Sequence, residues 1–575
     1  MLHRGLTRAS QLSWRNLHCS STVLHKAVPD GPSLADFLPS TAGPSTAGPS
    51  MWLAGAEPTR SGGSVYVETY GCQMNASDSE VVLSILRDAG FTQAQSPESA
   101  TVVLLNTCAI RDKAEERVWQ RLRALQHLRR RSTKRVAESA PVIGVLGCMA
   151  ERLKSKLLET DGLADVVAGP DAYRDLPHLI SLVRSGQTSA MNVQLSADET
   201  YADIAPVRRQ GPSAFLSIMR GCNNMCSFCI VPFTRGRERS RPSSSIIDEM
   251  RMLSDQGVKE VTLLGQNVNS YADFSGAESP HGAADSTGAQ QPAFGEYAPG
   301  FTSVYVPRRE GAMRFGELLD RVAAVDPEMR IRFTSPHPKD FPEDFLRVIG
   351  AHNNICKQLH LPAQSGSTSV LTRMRRGYSR EAYLALAHRA RDMLPGVALS
   401  SDFISGFCGE TEEEHSDTIS LMQEVGYEHA FMFAYSKRDK THAARHFEDD
   451  VPASVKQRRL EEVIATFRAG AAQRAAAEVG RLHCVLIEGP SKKSTADWSG
   501  RTDSGKVVVF PDVQVPATWQ ATEASEPRVR LQPGDYVAVR VQKATAASLT
   551  GTALGRTSLR DFYGAAQRVE CAASV

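Results

Sequence analysis

The stretch Cys222-Asn-Asn-Met-Cys226-Ser-Phe-Cys229 places three thiols within eight residues, and no fourth cysteine lies close by. Three thiolates can bind three irons of a four-iron cluster and leave the fourth iron open to a small molecule. Structural zinc sites instead use four protein ligands, usually in two pairs with two to four residues between their members. The spacing therefore favours an iron–sulfur cluster with one open iron, with a structural zinc site as the alternative.

Six apolar strand candidates accompany this loop over residues 208–472 and alternate with helical stretches. They lie at 214–219, 259–265, 330–335, 357–361, 397–404 and 429–434. Six such units predict an open (βα)6 partial barrel rather than a closed eight-stranded barrel. A Gly-, Ala-, Ser- and Pro-rich stretch at 273–313 interrupts the series, and we expect a disordered insertion there.

Shorter apolar runs upstream each end at a cysteine. They are Val65–Val67 before Cys72, Val102–Leu105 before Cys108, and Val142–Leu146 before Cys148. A fourth run follows at Ala164–Ala168. Alternating strands and helices predict a doubly wound parallel sheet over 63–185, which gives an α/β fold class.

The three cysteines of this sheet should converge, because the carboxyl ends of parallel strands share one edge. Gly71 and Gly147 should let the backbone approach a bulky inorganic ligand. We therefore expect a second cluster with one open iron on Cys72, Cys108 and Cys148. The alternative is three unrelated core cysteines.

An Ala- and Arg-rich helix at about 453–479 leads into an all-β segment over 473–556, followed by a tail at 557–575. The predicted strands are Leu482–Glu488, Lys506–Phe510, Asp535–Val541 and Ser548–Leu554. Few, short, alternating strands predict a small β-barrel of the OB-like kind that binds nucleic acid.

The first 62 residues are predicted to be a transit peptide and a disordered linker. Basic residues stand among Ser and Leu at Arg4, Arg8, Arg15 and Lys26, and no acidic residue precedes Asp30. This composition favours import into the mitochondrial matrix, with a disordered tail as the alternative and a cytosolic pool left open. The net charge of +2 restricts any nucleic-acid site to a local patch, and no apolar run approaches the roughly twenty residues of a membrane span.

The motif Cys-x3-Cys-x2-Cys resembles the signature of radical S-adenosylmethionine (SAM) enzymes, and longer strings resemble the tRNA methylthiotransferases. The strings are Thr69–Asn75, Asn106–Arg111, Gly147–Arg152, Gly265–Asn269, Arg332–His337, His360–Gly366 and Ser401–Phe407. The likeness runs from about residue 63 to 556 in the order of the family: methylthiotransferase domain, radical SAM core, TRAM barrel. Two positions depart from the family pattern, Cys408 for a usual Pro and Lys440 for a glycine common in bacterial members.

The branch of the family is indicated by Gln73-Met74-Asn75 and Ile110-Arg111. These residues resemble the enzymes that act on N6-isopentenyladenosine beside the anticodon, including organellar members. A sister branch acting on threonylcarbamoyladenosine usually has Lys at position 73, and that activity is one alternative. One member of the isopentenyladenosine branch is also named for binding a cyclin-dependent-kinase activator. The second alternative is therefore a non-catalytic regulatory binding protein.

The resemblance implies a radical mechanism, because the C2–H bond of adenine is neither acidic nor electrophilic. SAM would bind the open iron of the Cys222, Cys226 and Cys229 cluster and yield a 5′-deoxyadenosyl radical. A second 4Fe-4S cluster would present a sulfur methylated by a second SAM, giving a 2-methylthio group. Candidate SAM contacts are Gly265, Gln266, Ser335, Gln364 and Asp402, with strand-end turn or cap residues as the alternative. No other catalytic side chain is assigned.

The expected partner is a tRNA anticodon stem-loop carrying isopentenyladenosine. Candidate phosphate contacts are Arg129, Arg130, Arg131, Lys134, Arg135, Lys492, Lys493, Arg501 and Lys506. A solvated face is the alternative, above all for the residues at 129–135. The residues of the small barrel are favoured, because basic residues there suit single-stranded or looped RNA. We expect a monomer, with the electron donor unassigned.

Overall fold

The computed structural model describes residues 62–109, 112–132, 140–160, 162–208, 211–275, 297–303, 311–520 and 527–565. The predicted transit peptide and nearly all of the linker lie outside these residues. So do Lys134, Arg135 and most of the predicted insertion at 273–313.

Over its described residues, the amino-terminal domain is an α/β unit with six strands and five α-helices. The strands are β1 Ser64–Thr69, β2 Thr92–Gln93, β3 Val102–Thr107, β4 Val142–Gly147, β5 Val166–Ala168 and β6 Ala190–Asn192. The helices are α1 Gln73–Asp88, α2 Asp112–Ser132, α3 Cys148–Leu153, α4 Lys156–Glu159 and α5 Leu176–Arg184. All strand pairs are parallel, in the order β2-β1-β3-β4-β5-β6.

Alternate residues of the central strand enter two separate cores. Val102 and Leu104 of β3 pack with α1 and α5 on one face, whereas Val103 and Leu105 pack with α2, α3 and α4 on the other. Both faces are therefore buried under helices, which confirms the doubly wound sheet. The predicted unit at 63–185 stops short of β6, a brief strand at the sheet edge.

The central domain contains the six strands predicted from the sequence. They are β7 Ser213–Ser217, β10 Glu260–Leu264, β13 Arg330–Phe333, β14 Gln358–His360, β15 Ala398–Ser405 and β16 His429–Ala434. Short strands between them are β8 Met219–Arg220, β9 Arg239–Ser240, β11 Ala272–Asp273 and β12 Met313–Arg314. Two parallel sheets, β7-β10-β13 and β14-β15-β16, are joined by a parallel bridge between Ile331 and Ile355. This wall of six strands is the predicted open partial barrel.

The described part of the central domain also contains nine α-helices, which alternate with the strands along the chain. They are α6 Val231–Arg235, α7 Ser243–Asp255, α8 Phe315–Val325, α9 Glu343–Ala351, α10 Thr368–Arg373, α11 Arg380–Met393, α12 Glu412–Val425, α13 His442–His446 and α14 Ala453–Ala476. The main core lies between the strands and this helical layer. The opposite strand face is polar and forms the inner wall, where Arg332 Nη1 donates to Gln358 Oε1 across the two sheets at 2.8 Å.

Part of the predicted insertion is ordered. Residues 297–303 are described, and Ala298 and Phe301 are buried in the main core. The Phe301 ring lies 4.9 Å from the Tyr378 ring. This stretch follows a low-complexity run, so composition alone did not separate it from its neighbours.

The carboxy-terminal domain is a closed barrel with strand order β17-β18-β19-β23-β22. Its strands, with a small accessory pair β20 and β21, are β17 Leu482–Ser491, β18 Ser494–Arg501, β19 Val507–Pro511, β20 Val515–Pro516, β21 Arg528–Val529, β22 Tyr536–Ala544 and β23 Ser548–Thr557. The closed barrel confirms the predicted architecture. The sequence prediction missed β18, whose residues Ser-Thr-Ala-Asp-Trp-Ser-Gly-Arg lack an apolar alternation.

The carboxy-terminal barrel packs against the amino-terminal part of the open partial barrel. On the inner wall, Arg332 Nη2 donates to Thr502 O at 2.7 Å and Nη1 to Asp503 O at 2.8 Å. Arg330 Nη1 donates to Arg501 O at 2.9 Å. These contacts cover the amino-terminal part of the barrel wall at β13. Within the described residues, no helix combines the length and apolar character needed to cross a bilayer.

Candidate cluster and cofactor site

The three amino-terminal cysteines lie at the ends of three neighbouring strands. Cys72 separates β1 from α1, Cys108 follows β3, and Cys148 begins α3 directly after β4. Cys108 and Cys148 come immediately after the register partners Thr107 and Gly147. Cys72 and Cys148 are close enough to interact electrostatically. The parallel topology therefore gathers these thiols at one sheet edge.

Two glycines allow this close approach. A Cβ at Gly71 would lie 2.5 Å from the Cβ of Cys108, and the φ of Gly71 is +128°. A Cβ at Gly147, where φ is +85°, would lie 2.6 Å from Asn106 Oδ1 and 2.7 Å from Thr107 O. Both glycines therefore make room for neighbouring strand ends of the protein, rather than for the inorganic ligand expected from the sequence.

Asn75 ties the first cysteine to the next strand. The Cys72 thiol donates to Asn75 Oδ1 at 3.2 Å. The Asn75 amide in turn donates to Thr107 O at 3.0 Å and to Asn106 Oδ1 at 3.1 Å. The side chain is buried, so it fixes the Cys72 loop relative to β3.

The other three cysteines occupy one loop between β8 and α6. Cys222 and Cys226 are buried, and Cys229 is half-buried. Gly221 N, just before the first cysteine, donates to Gln266 Oε1 at 2.5 Å. The end of β10 therefore holds the beginning of the cysteine loop.

Each cysteine triad receives a hydrogen bond from its own buried arginine. Arg235 Nε lies 3.1 Å from Cys148 Sγ, and Arg376 Nη1 lies 3.2 Å from Cys226 Sγ. Arg235 is the last residue of α6, the helix that directly follows Cys229. A single short helix thus links the cysteine loop of the central domain to a thiol of the amino-terminal domain. Hydrogen bonds to ligand sulfur orient the ligand and tune the metal group it holds.

Buried ion pairs surround this contact between the domains. Asp78 of α1 lies 2.7 Å from Arg235 and 2.8 Å from Arg220, and Arg239 lies 2.9 Å from Asp171. Burial opposes ionisation of Asp78, but the two arginines outweigh it and lower the pKa of that carboxyl. Loss of one partner would leave a buried charge uncompensated, at a cost of about 3–5 kcal/mol.

Burial raises the pKa of several of these thiols. The pKa of Cys148 is raised by burial and lowered in part by Arg235. The pKa of Cys222 is raised by burial and by Glu238, and that of Cys229 is raised to about 12 by burial and by Cys226. Without a metal these thiols hold their protons at neutral pH, so iron binding must displace protons from them.

The spacing of the cysteines bears on the kind of metal group that they would hold. Across the described parts of the chain, no three or more Cys, His, Asp or Glu side chains are gathered tightly enough to hold one metal ion. A four-iron cluster binds each thiolate through a different iron, so its ligands stand farther apart. In each triad a buried arginine donates to one sulfur, and a four-iron cluster on each triad stays a prediction.

Gly265 and Gln266 follow β10 at the carboxyl end of the barrel. A Cβ at Gly265 would lie 2.6 Å from Met219 Cγ, so close packing requires glycine there. The side-chain carbonyl of Gln266 accepts a hydrogen bond from Gly221 N and so positions the residue before Cys222. These contacts favour a supporting role for both residues in the cysteine loop, and direct SAM contact stays a prediction.

Ser335 and Gln364 follow β13 and β14, whereas Asp402 lies inside β15 rather than at the strand end predicted from the sequence. Ser335 and Gln364 both have a left-handed backbone, with φ of +57° and +71°. Ser335 is exposed and Gln364 is buried. Asp402 Oδ2 lies 3.3 Å from His360 Nε2 on the inner wall. Ser335 and Asp402 are therefore the predicted contacts that a bound molecule can reach.

Glu151 is a buried carboxyl one helical turn after Cys148. Burial raises its pKa to about 7, although Lys154, 3.1 Å away, acts in the opposite direction. Among the described residues its Oε2 has no hydrogen-bond partner. Lys440 of the central domain also interacts with Glu151 electrostatically.

The two departures from the family pattern have different structural settings. Lys440 adopts a φ of +73°, in the left-handed region that glycine occupies most readily. Cys408 is buried beside Phe407 and Tyr435 in a small apolar cluster, and burial raises its pKa. Neither residue lies in a cysteine triad.

The predicted phosphate contacts fall into two groups. Lys492 and Lys493 are exposed at the turn between β17 and β18. Others pair with carboxylates, namely Arg501 with Glu488 at 2.7 Å, Lys506 with Glu478 at 2.8 Å and Arg129 with Asp165 at 3.0 Å. The side chains of Arg130 and Arg131 lie outside the described set. The lysine pair at the barrel turn is therefore the most available for RNA.

Sequence reasoning missed Asn75, Asp78, Arg235 and Arg376. Only Asn75 had a signal, because it belongs to the string around Cys72. Arg235 lies 87 residues from Cys148, and Arg376 lies 150 residues from Cys226. Such contacts depend on how the domains pack, which a residue pattern does not reveal.

Three family models match successive parts of the chain. They are Uncharacterized protein family UPF0004 over residues 64–169, the Radical SAM superfamily over 216–422 and the TRAM domain over 476–554. A solved structure of the radical SAM methyltransferase TsrM from Kitasatospora setae superposes with a TM-score of 0.45. It is 14% identical and covers 67% of this chain and 77% of that chain.

Curated relatives match nearly the whole length. Mitochondrial tRNA methylthiotransferase CDK5RAP1 of Rattus norvegicus is 52% identical over 543 residues, covering 92% of this chain and 89% of the relative. The tRNA-2-methylthio-N(6)-dimethylallyladenosine synthase of Chloroherpeton thalassium is 47% identical over 490 residues, covering 85% and 96%. The CDK5RAP1-like protein of Caenorhabditis elegans is 44% identical over 555 residues, covering 94% and 96%. With these relatives and the three matching domain models, the chain belongs to the radical SAM tRNA methylthiotransferase family.

Proposed function

We propose that this enzyme adds a 2-methylthio group to N6-isopentenyladenosine beside the anticodon of mitochondrial tRNAs. The main support is the link between the two cysteine triads. Helix α6 follows the loop of Cys229 and ends at Arg235, which donates to Cys148 Sγ. Sulfur insertion at an unactivated carbon needs a radical source and a sulfur source facing one space. Two triads linked through a single short helix are consistent with that need.

Cys222, Cys226 and Cys229 would hold one 4Fe-4S cluster, and Cys72, Cys108 and Cys148 a second. When bound, the first would supply one-electron chemistry for SAM cleavage, and the second would supply the site of sulfur transfer. Two SAM molecules would be used per turnover, one for the radical and one for the methyl group.

The chain's own residues orient these groups and exclude water. Gln266 holds the loop before Cys222, and Asn75 holds the loop at Cys72. Arg376 and Arg235 donate to one sulfur each. Among the predicted SAM contacts, Ser335 and Asp402 would reach the bound SAM. Lys492 and Lys493 would contact phosphates of the anticodon stem-loop.

A mitochondrial matrix location is supported by the names of the mammalian relatives and by the basic, acid-free start of the sequence. A cytosolic pool is a further prediction, and fractionation with an antibody to the chain would reveal it.

Deletion of the gene followed by nucleoside mass spectrometry of mitochondrial tRNA tests the proposal. We expect 2-methylthio-N6-isopentenyladenosine to disappear and N6-isopentenyladenosine to accumulate. Re-expression of the intact chain should restore the modified base. An unchanged amount would contradict the proposal, and selective loss of methylthiolated threonylcarbamoyladenosine would favour the sister activity instead.

A further inference from the structure

Two neighbouring aromatic side chains of β16 are exposed. Phe431 is 50% exposed and Phe433 is 39% exposed. Alternate residues of a strand point to the same side, so the two rings form one apolar surface. Contiguous exposed apolar surface is characteristic of binding sites rather than of ordinary solvent-facing wall.

This surface lies on the inner wall of the partial barrel. Ala430 and Met432, the alternate residues, pack against the main core, as does Phe467 of α14. Phe431 and Phe433 therefore point away from the helical layer. Asp402, one of the predicted SAM contacts, is the register partner of Phe431 on this wall.

A polar pair stands beside the aromatic surface. Phe431 is the register partner of Asp402, and its ring lies 6.1 Å from the His360 ring in an edge contact. His360 Nε2 lies 3.3 Å from Asp402 Oδ2, and His360 Nδ1 lies 3.0 Å from Ser400 Oγ. Apolar rings and hydrogen-bonding groups therefore meet at one place.

The position also allows a large substrate to enter. β16 is the last strand of its sheet in the described residues, so the aromatic surface lies at the edge of the barrel wall. A base swung out of an RNA loop could reach this edge without the RNA passing through the barrel. Bases extruded from loops are typically held by stacking on aromatic side chains and by hydrogen bonds to their edges.

We propose that Phe431 and Phe433 receive the target adenine and its apolar N6 substituent, with the His360–Asp402 pair beside the base. The inference rests on the proposed function and names the residues that would distinguish a prenylated adenine from an unmodified one. A five-carbon apolar group gains by leaving water for the two rings, whereas the charged amino-acid part of SAM would gain nothing there.

The test measures binding of two synthetic anticodon stem-loops to the full-length reconstituted enzyme, one prenylated and one unmodified at the target adenine. The wild type should prefer the prenylated loop. Phe431→Ala and Phe433→Ala should each reduce that preference by about tenfold, while the affinity for the unmodified loop changes less. Phe431→Leu, which keeps apolar volume, should retain part of the preference. Phe274→Ala removes a 42%-exposed ring outside this sheet and serves as the matched control.

An unchanged preference in both alanine variants would overturn the proposal. A fall in SAM affinity with intact RNA preference would also overturn it, because the rings would then contact the cofactor. If the wild type forms the methylthio product yet binds both loops equally, this inference fails and the proposed function stands. If the wild type forms no product from either loop, the proposed function itself fails.

Discussion

The two cysteine triads are built in different ways. Cys222, Cys226 and Cys229 lie in one loop, so their spacing is set by local sequence. Cys72, Cys108 and Cys148 meet only because β1, β3 and β4 are neighbours in a parallel sheet. The second triad also receives a hydrogen bond from another domain, through Arg235. A local site should tolerate remote changes better than a site assembled by topology and domain packing.

The largest expected effect separates the two triads by reaction step. Cys222→Ala should abolish reductive SAM cleavage and therefore all methylthio product. Cys148→Ala should abolish the product while SAM cleavage to 5′-deoxyadenosine continues, because the loop triad (Cys222, Cys226 and Cys229) is intact. Chromatography of both products under anaerobic conditions with a strong reductant is the measurement. Cys356→Ala, at a buried cysteine outside both triads, is the control, and wild-type product from Cys148→Ala would contradict the assignment.

The next effect concerns the two arginines that donate to sulfur. Arg235→Lys should reduce cluster retention or activity only at the sheet triad (Cys72, Cys108 and Cys148), by about 10–100-fold. Arg376→Lys should have the same effect only at the loop triad. Lysine keeps the charge but lacks the fixed planar fork of donors. Electron paramagnetic resonance with redox titration should show one altered cluster signal in each variant. Identical changes in both signals would show that the arginines act through general stability instead.

A smaller, pH-dependent effect is expected at Glu151, on the helix that begins with Cys148. Burial raises its folded-state pKa to about 7, from an ordinary value of 4.5. The folded protein therefore keeps a proton that the unfolded chain releases, and stability from this group falls as pH rises between these values.

Glu151→Gln removes this ionisation. Its free energy of unfolding relative to wild type should rise across that pH window, by about 3 kcal/mol at most. Denaturant unfolding at several pH values measures the difference. Glu159→Gln, which changes an exposed carboxylate on α4, should show no such trend. If the difference in unfolding free energy between Glu151→Gln and wild type did not vary with pH, the raised pKa of Glu151 would be contradicted.

The smallest effect is expected far from both triads, at the turn between β17 and β18. Replacing Lys492 and Lys493 by Ala should weaken tRNA binding and reduce the slope of log affinity against log salt by about two. Fluorescence anisotropy across a salt series measures it, with Arg251→Ala on α7 as an exposed control. An unchanged slope would show that Lys492 and Lys493 do not contact RNA phosphates.

Much of the fold followed from the sequence because apolar runs and cysteines coincide. All six barrel strands and the three strands before Cys72, Cys108 and Cys148 lie where the patterns predicted. Strands without an apolar signal, such as β18 and the two-residue β2, could not be recognised. Their place comes from pairing with neighbours rather than from their own composition.

The candidate site was predictable only in its local parts. The cysteines stood out by spacing, and Cys72, Cys108 and Cys148 follow neighbouring parallel strands as the strand-end argument predicted; their binding of a cluster stays a prediction. The arginine donors, the Asp78 ion pairs and the inner-wall aromatics depend on contacts between distant segments. Gln266 shows the same limit, since its carbonyl supports the loop at Gly221.

The central claim is that the sheet triad holds its own cluster. Iron and acid-labile sulfide counts on the Cys222→Ala/Cys226→Ala/Cys229→Ala chain, purified and reconstituted without oxygen, test it most directly. The account predicts about eight irons per chain in the wild type and about four in this variant. A folded variant that retains no iron would contradict it.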